Sequence, residues 1–434
     1  MILHIIIKNF GKVESADIAL EDLIVFVGNN NSGKTMVMQL IYGVRDILSK
    51  FSLVFPEART SDLNGQYLVR CDLGWFRELE TRINKYLAEQ KNQIMESIFN
   101  AQIPVEEIRI ALEGAETTYF VCGISENESR ETGERKTVFD IDIRQYEQGE
   151  NTKSYAYEYL CPGEGVPRDG EYEALQAVWN IILSGNVTGD ARRLFLPASR
   201  SGLQLLYKQY FAGGMAGDFV LPVKDFLQFL MLYTEEKQPE ESRRMLLEFG
   251  EEQLLQGKVV QEGDETFYLD RQLDSPVSLH RASSMIHELT PFIKALSGTR
   301  RIDWLYCDEV ENSLHPLLQR EMARWLIRMV NAGMHVIVSS HSDTMASRLN
   351  NLFMLTHLHR RKSSLALLSE LDLKEADLLY ADRQAGVYEF RSGKQGRTVV
   401  ERLEFISHPL MGYDFRLFGA NLDKLYDEAD KITR

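Results

Sequence analysis

The sequence lacks a long run of apolar residues. No stretch approaches the ~18 to 20 uninterrupted apolar residues that a membrane-spanning helix requires. The first ten residues, MILHIIIKNF, are too short and too poor in basic residues for a secretory leader, and they predict a first strand instead. Only four cysteines occur, widely spaced and without a Cys-x-x-Cys pair, so neither a zinc site nor a disulfide framework is indicated. A cytoplasmic protein with no membrane partner is therefore expected.

Positive charge is also scarce. The chain carries 49 Lys and Arg against 64 Asp and Glu, and its net charge of −15 opposes nonspecific binding of nucleic acid over the whole surface. Two local basic runs remain, one from His357 to Lys362 and one formed by Arg391, Lys394 and Arg397. Short basic clusters are common in solvated turns, so that interpretation is preferred and DNA contact stays as the alternative.

What is present is ordinary for a globular protein. Of the 434 residues, 44% are hydrophobic and 26% are charged. A chain of this length can form about two or three domain-sized units with a substantial core. No internal repeat or low-complexity segment is found.

A phosphate-binding loop is predicted between residues 28 and 35. Five apolar residues, LIVFV, predict a buried strand, the next eight, GNNNSGKT, match G-x-x-x-x-G-K-[ST], and residues 36–48 predict a helix. In this context the glycine backbone curves around phosphate oxygens, Lys34 reaches the β- and γ-phosphates, and the Thr35 hydroxyl can bind Mg²⁺. The candidate nucleotide-binding residues here are Gly28, Asn29, Asn30, Asn31, Ser32, Gly33, Lys34, Thr35 and Met36.

A second group of candidates follows two later apolar strands. Residues 302–307 lead into Asp308 and Glu309, where Asp308 would hold Mg²⁺ and Glu309 would orient or deprotonate the attacking water. Residues 335–340 lead into His341, which would contact a γ-phosphate. Alone, His341 would be a core or capping residue, but with the loop and the acids present the catalytic interpretation is preferred. The predicted catalytic residues are Glu309, His341 and Lys34, and the predicted metal ligands are Thr35 and Asp308.

Two interpretations remain open for the serine pair Ser283–Ser284, and two remain open for Arg200. Ser283 and Ser284 open a predicted helix, residues 286–296, as ordinary N-caps or as amides that hold a phosphate from a neighbouring subunit. Arg200, in the segment RLFLPASRSG, is either a surface arginine or one that reaches a phosphate or another subunit, and the two are evenly balanced.

Apolar periodicity gives a coarse organisation. Residues 1–27 predict antiparallel strands, Phe76 to Ile98 an amphipathic helix, and residues 101–161 strands that complete an N-terminal sheet. The charged segment 221–257 predicts a helical lid or insertion, and helices are also predicted at Leu371–Leu379 and Leu422–Ile432. The chain is thus divided into 1–220 and 258–434, with the insertion at 221–257 between them.

The ordered set GNNNSGKT, ASSM, LYCDEVENSLHP and VIVSSHS resembles the ATPase family that includes RecF, structural-maintenance-of-chromosomes (SMC) heads and overcoming-lysogenization-defect (OLD) ATPases. Glu311, Leu314, His315 and Pro316 and the segment RLFLPASRSGL look like the OLD branch. The resemblance covers residues 1–50 and 275–345, and more loosely the remainder. It implies an α/β fold, the ABC-type P-loop ATPase head, with a mixed central sheet, an N-terminal antiparallel β lobe and a helical lid insertion.

The same resemblance assigns roles. Ser283 corresponds to the signature serine that contacts the γ-phosphate of the ATP held by the opposite protomer, residues 311–315 would lie at the dimer seam, and His341 would be the switch histidine. Met285 stands where the usual signature has glycine, and Val310 where the family has proline.

The implied function is an ATPase that uses ATP and Mg²⁺ and forms head-to-head homodimers. Residues 346–434 contain no H-N-H-like cluster and no second acidic cluster, so a nuclease or toxin effector is expected on a separate chain, as for sensor subunits of anti-phage defence. One alternative is a RecF-like DNA-binding scaffold in DNA repair. A transporter ATPase is less favoured, because the insertion between Lys34 and Ser283 is large and no membrane segment is present.

Overall fold

The computed structural model describes residues 1–50, 55–63, 66–128, 135–145, 151–160, 168–186, 192–214, 218–263, 265–272, 275–362, 364–393, 396–407 and 412–415. Cys161, Lys394 and the predicted helix Leu422–Ile432 lie outside these ranges. The helices are α1 (Lys34–Lys50), α2 (Leu73–Phe99), α3 (Arg168–Ser184), α4 (Arg200–Ala212), α5 (Leu221–Met231), α6 (Glu241–Phe249), α7 (Ser284–Ser297), α8 (Pro316–Asn331), α9 (Asp343–Arg361) and α10 (Leu365–Glu370). Shorter helical turns are a π-helix, Gly250–Leu255, and two 3-10 turns, Leu279–Arg281 and Glu375–Asp377.

The strands are β1 (Ile2–Phe10), β2 (Val13–Ala19), β3 (Leu23–Gly28), β4 (Arg59–Leu63), β5 (Gln66–Cys71), β6 (Glu107–Glu113), β7 (Thr118–Glu128), β8 (Arg135–Gln145), β9 (Asn151–Leu160), β10 (Arg193–Leu196), β11 (Gly257–Glu262), β12 (Glu265–Asp270), β13 (Val277–Ser278), β14 (Trp304–Cys307), β15 (His335–Ser340), β16 (Ala385–Ser392), β17 (Thr398–Arg402), β18 (Phe405–Ile406) and β19 (Gly412–Tyr413).

A central sheet of nine strands, counted over the described residues, has the order β10-β14-β15-β3-β16-β17-β2-β1-β6. The five strands from β10 to β16 run parallel. Beyond them, β17 is antiparallel to β16 and parallel to β2, and β1 is antiparallel to both β2 and β6. The carboxyl ends of parallel strands meet at one edge, so the residues that follow β3, β14 and β15 come together there. The predicted mixed α/β sheet with N-terminal antiparallel strands is confirmed.

The strand before the phosphate loop lies in the middle of this sheet. Every residue of β3 is buried, because helices cover both faces of the parallel part. Ile24 and Phe26 belong to one hydrophobic core, and Val25 and Val27 belong to the other. The continuous apolar run LIVFV is therefore explained by burial on both sides.

The strands of region 101–161 differ from the prediction. Only β6 joins the central sheet, at its β1 edge. The other three, β7, β8 and β9, pair with β4 and β5 in a separate antiparallel sheet of five strands among the described residues. Alternating apolar residues indicate that a segment is a strand, but they do not identify its partner, so the sequence pattern could not separate the two sheets.

The amphipathic helix predicted near residues 76–98 is confirmed as α2. The Asp72 side chain caps its first turn by accepting the Gly74 amide at 3.1 Å. At the other end, Asn100 has a left-handed backbone with φ of 54° and donates its N–H to the Glu96 carbonyl. These two caps account for the bounds of the helix.

The charged segment 221–257 packs as part of the head. Phe226 and Leu227 of α5 are fully buried in the second core. The π-helix lies against Trp325 of α8, and a Cβ atom on Gly250 would stand 2.5 Å from the indole ring, so a side chain is not tolerated there. The helices predicted as a lid thus bury their apolar sides in the core.

The predicted helix Leu371–Leu379 is not formed. α10 ends at Glu370, and only the short turn Glu375–Asp377 follows. The Asp377 carboxylate is fully buried and accepts hydrogen bonds from Arg324 Nη2 at 3.0 Å and Arg328 Nε at 2.7 Å. Burial alone would raise the pKa of Asp377, but the bonds from these two arginines lower it overall. Among the residues that the structure describes, no helix has the length and apolarity needed to cross a membrane.

Candidate active site

The loop between β3 and α1 has the backbone geometry of a phosphate cradle. Gly28 has φ of 150°, and a Cβ atom there would stand 2.7 Å from the Phe390 carbonyl oxygen of β16. Gly33 has φ of 97°, and a Cβ atom there would stand 2.9 Å from Val13. Asn31 has φ of 59°, in the left-handed region that asparagine tolerates best after glycine. Backbone angle and packing therefore require both glycines of the motif.

The Lys34 side chain is buried under this loop. Its ammonium group donates to the carbonyl oxygens of Gly28 and Asn29, both at 2.9 Å, and to Ser32 Oγ at 3.3 Å. Burial lowers the pKa of Lys34 to about 8, while three carboxylates act in the opposite direction. Phosphate oxygens are stronger acceptors than these carbonyls, so a bound triphosphate would draw the ammonium group away from its own loop.

The carboxyl end of β14 brings Asp308 to the loop. Thr35 Oγ1 donates to Asp308 Oδ2 at 2.8 Å, and Ser339 Oγ of β15 donates to Asp308 Oδ1 at 2.6 Å. These two hydroxyl groups fix both oxygens of the Asp308 carboxylate, which is buried. Hydroxyl and carboxylate oxygens are the ligands that Mg²⁺ prefers, and the donor set of Thr35 and Asp308 fits that ion.

Glu309 and His341 lie beside each other at the same edge. Glu309 has φ of 48°, and its N–H donates to Ser339 Oγ at 2.8 Å. Its carboxylate lies 3.5 Å from His341 Nε2, and His341 Nδ1 lies 2.9 Å from the Gly28 carbonyl oxygen. His341 Nδ1 also lies 3.2 Å from the Lys34 ammonium group, and His341 Nε2 faces the acid. His341 therefore bridges the phosphate loop and the predicted catalytic carboxylate.

Glu311 is a site residue to which sequence reasoning gave only a position at the seam. One of its carboxylate oxygens accepts the backbone N–H of His341, and the other, Oε2, is buried without a hydrogen-bond partner among the described residues. The carboxylate also acts on the pKa of Lys34. The signal that could have located it is its spacing, two residues beyond Glu309 in a turn that stays at the strand edge.

Met36 lies beneath the turn between β1 and β2. A Cβ atom on Gly11, in that turn, would stand 3.1 Å from Met36 Cε. The turn is thus held beside the phosphate loop. Asn29 and Asn30, by contrast, are exposed at the loop tip, and Ser32 is buried within the loop.

The structure does not join Ser283 and Ser284 to this group. Ser283 is the N-cap of α7, its side chain makes no capping hydrogen bond, and both serines are exposed. The bonds found for Ser283 within the described chain are those that its carbonyl accepts from the amides of Ile286 and His287. The ordinary side-chain N-cap is therefore not observed, and the serines remain accessible at the start of α7.

Two interpretations of Arg200, a surface residue and a residue that reaches another subunit, are wrong. The side chain is only 1% exposed, so it is neither a surface residue nor one that reaches another subunit. Its guanidinium group donates to the backbone carbonyls of Asp308 at 2.8 Å and Glu309 at 3.2 Å, and its Nε lies 2.7 Å from Glu288 Oε2 of α7. Arg200 thus connects the acidic strand end to the helix that begins after Ser283.

The basic runs proposed for DNA contact are partly engaged within the chain. Arg360 donates to the carbonyls of Leu379, at 3.3 Å, and Tyr380, at 2.7 Å. Arg391 pairs with Glu389 and with Glu401. These internal bonds reduce the positive charge available to a phosphate backbone.

Two family matches cover most of this site. A family described as "AAA ATPase domain" matches residues 1–159, and one described as "AAA domain, putative AbiEii toxin, Type IV TA system" matches residues 204–346. The first contains the phosphate loop, and the second contains Ser283, the acidic pair and His341. No curated protein matches the chain.

Solved SMC heads are similar over nearly the whole length. The SMC head domain from Thermotoga maritima is 12% identical, with a TM-score of 0.35 over 93% of this chain and 99% of that one. A Pyrococcus furiosus Smc head domain with an extended coiled coil, bound to the C-terminal domain of ScpA, is 11% identical, with a TM-score of 0.37 over 100% of this chain and 99% of that one.

The P-loop ATPase predicted from the motifs is confirmed by the two matches, and the geometry agrees with it. The phosphate loop, Asp308 and Glu309 meet at one sheet edge, in a site suited to binding and cleaving a nucleoside triphosphate. The two ATPase-domain matches and this geometry together identify the chain as a P-loop ATPase, an ATP-hydrolysing enzyme.

Proposed function

We propose that the chain is an ATP-dependent switch that assembles head to head and controls a separate effector protein. One observation carries the proposal. Lys34, Asp308 and Glu309 are gathered at the phosphate loop, whereas Ser283 is exposed at the start of α7 and has no bond to that loop among the described residues. By the family resemblance, two facing chains would each supply Ser283 to the phosphate loop of the other.

Each composite site would bind ATP through residues of both chains. Lys34 would turn from its loop carbonyls to the β- and γ-phosphates. Thr35 and Asp308 would hold Mg²⁺, which neutralises developing charge on the phosphates when it is bound. Glu309 would position or deprotonate the attacking water, and His341 would contact the γ-phosphate.

Slow hydrolysis that depends on assembly follows from this arrangement. The Glu309 carboxylate lies against His341 at 3.5 Å, so it must be redirected toward the water before cleavage. Met285 occupies the position of the usual signature glycine, which limits how closely that backbone approaches a phosphate. Assembly would therefore report the nucleotide state to a partner.

The effector that we propose is a nuclease or toxin that acts in bacterial anti-phage defence in the cytoplasm. The family that matches residues 204–346 has "putative AbiEii toxin, Type IV TA system" in its description, which supports a role in a toxin–antitoxin or defence system. In this proposal the effector is a second protein that the assembled ATPase would control.

The test is the native mass of the wild type and of Glu309→Gln, with and without Mg-ATP. We expect ATP to produce an even-numbered assembly that Glu309→Gln locks, since the variant binds ATP but does not cleave it. Lys34→Ala should stay in the ATP-free state. Ser283→Arg should bind ATP without assembling, whereas Ser242→Arg, at an exposed serine of α6, should assemble normally.

Masses that do not respond to ATP in any of these proteins would refute the switch. Proteins that co-purify with the locked assembly would identify the effector. DNA in that assembly, with an affinity that falls with salt and is lost on charge reversal of Arg360 and Arg361, would favour the DNA-binding scaffold instead.

A further inference from the structure

We propose that Arg200 is a positioning residue for ATP hydrolysis and that it couples helix α7 to the acidic strand end of its own chain. The positioning part applies to the ATPase activity itself. The coupling part rests on the proposed head-to-head assembly, because it passes a signal from the signature serine to the catalytic edge.

On one side, Arg200 fixes the backbone of the acidic pair. Nη1 donates to the Asp308 carbonyl at 2.8 Å, and Nη2 donates to the Glu309 carbonyl at 3.2 Å. The Glu309 N–H is held separately by Ser339 Oγ at 2.8 Å. Glu309 has a positive φ of 48°, a costly backbone conformation for this residue type, so contacts at both its N–H and its carbonyl are needed to keep it.

On the other side, Arg200 contacts α7. Its Nε lies 2.7 Å from Glu288 Oε2 and 3.4 Å from the Glu288 carbonyl oxygen. Both side chains are almost fully buried, at 1% and 3% exposure. Glu288 lies little more than one helical turn after Ser283, at the start of the same helix. A displacement at Ser283 would therefore reach the Arg200 guanidinium through a short rigid path.

The chemistry of arginine suits this position. A guanidinium group presents several N–H donors in a fixed plane, so one side chain can hold two carbonyls and a carboxylate together. Lysine has one point charge and cannot hold the same three groups in a fixed geometry. Burial raises the pKa of Glu288, and the neighbouring Arg200 charge acts against that rise. Loss of Arg200 would leave the buried Glu288 carboxylate with the Ser201 hydroxyl but without a neighbouring positive charge.

The experiment compares Arg200→Lys and Glu288→Gln with a matched control, Arg324→Lys. Arg324 is also buried in an ion pair, with Asp377 at 3.0 Å, but it lies on α8 away from the acidic pair. For each protein, we would measure the ATP Kd, kcat, the Hill coefficient for ATP hydrolysis, native mass with Mg-ATP, and the thermal midpoint.

We expect Arg200→Lys to bind ATP within about twofold of wild type and to lose about 10- to 100-fold in kcat, because a small misplacement of the catalytic carboxylate costs this much. Its Hill coefficient should fall toward one, whereas its native mass with Mg-ATP should equal that of the wild type. Glu288→Gln should lower the Hill coefficient with a smaller loss in kcat. Arg324→Lys should change only the thermal midpoint.

A wild-type kcat in Arg200→Lys would refute the positioning role. A wild-type Hill coefficient in both variants, together with normal assembly, would refute the coupling. If Arg200→Lys does not fold, Glu288→Gln decides the coupling alone. If the wild type itself does not assemble with ATP, the proposed function and the coupling fail, whereas a reduced kcat in Arg200→Lys still supports positioning.

Discussion

Raising the pH should weaken ATP binding through Lys34. The lysine is buried, and burial lowers its pKa to about 8 in the free protein. A bound triphosphate favours the charged form, so binding requires the proton to be present. The perturbation is an increase of pH through and above this pKa, with the protein otherwise unchanged.

The magnitude follows from the charged fraction. With a pKa of about 8, this fraction falls from about three quarters at pH ~7.5 to about 3% at pH ~9.5, so the ATP Kd should rise about 25-fold, or about 1.9 kcal/mol. The same rise in pH has the opposite effect on folding, because it stabilises the free protein. An unfolded lysine keeps its proton to pH ~10.4, so the unfolded state binds more protons between pH ~8 and ~10.4, and the free protein gains stability as pH rises through that window.

The assay is a titration with a fluorescent ATP analogue at several pH values, with two controls. Lys34→Arg stays charged throughout, so its Kd should not depend on pH in this range. Lys294 is a second buried lysine, whose pKa burial also lowers to about 8, but it donates to Gln261 and Thr266 rather than to the phosphate loop. Lys294→Met should therefore keep the wild-type slope. A wild-type Kd that is flat from pH ~7.5 to ~9.5 would show that Lys34 is fully charged in the free protein, contrary to the reasoning.

Three further changes test the packing and the site. Gly43→Ala should lower the free energy of unfolding by about 1–2 kcal/mol in a denaturant titration, since a Cβ there would stand 2.3 Å from Ile98 and the crowding exceeds the helix-propensity gain. Asp377→Asn should cost about 3–5 kcal/mol at neutral pH, because it leaves two arginines without their buried carboxylate. The Asp377 pKa is lowered on folding, so its contribution in the wild type is present above pH ~4 and is lost as the pH falls through the native value, as acid titrations would show. Ser339→Ala should reduce phosphate release about 10- to 100-fold with ATP binding retained, because it removes one of the two hydroxyl donors to Asp308 and the acceptor of the Glu309 N–H.

Each of these has a control in the chain. Gly202→Ala, at an exposed position in α4 with open space around it, should leave stability equal or higher. Asp382→Asn changes an aspartate that is 73% exposed and should have little effect. Ser340→Ala removes an equally buried hydroxyl that bonds to Ser342 rather than to Asp308, so hydrolysis should persist. Equal effects in a variant and its control would contradict the assigned cause.

Local sequence patterns were sufficient to predict the strands and helices whose apolar spacing reflects their own burial. The buried strand before Gly28 and the helix α2 were predicted because their apolar spacing reflects their own burial. The meeting of the loop with Asp308 was predicted because parallel strands end at one edge.

Long-range partners were not predictable in the same way. Arginines are rarely fully buried, so no local pattern indicates that Arg200 lies inside the head, and its partner Glu288 is distant in the chain. The second sheet was missed because β7 and β6 have similar alternation but different neighbours. The segment 371–379 has helical spacing, but the burial of Asp377 between two arginines of α8 requires a different path.

The order of strands in the central sheet also bears on how the chain folds during synthesis. β3 is made early, yet both of its neighbours, β15 and β16, are made near the end. Until they leave the ribosome, the phosphate loop has no sheet to support it, and both edges of an apolar strand are unpaired. A chain interrupted before residue 385 would therefore be unable to complete the nucleotide site, so ATP hydrolysis would begin only after most of the chain has been synthesised.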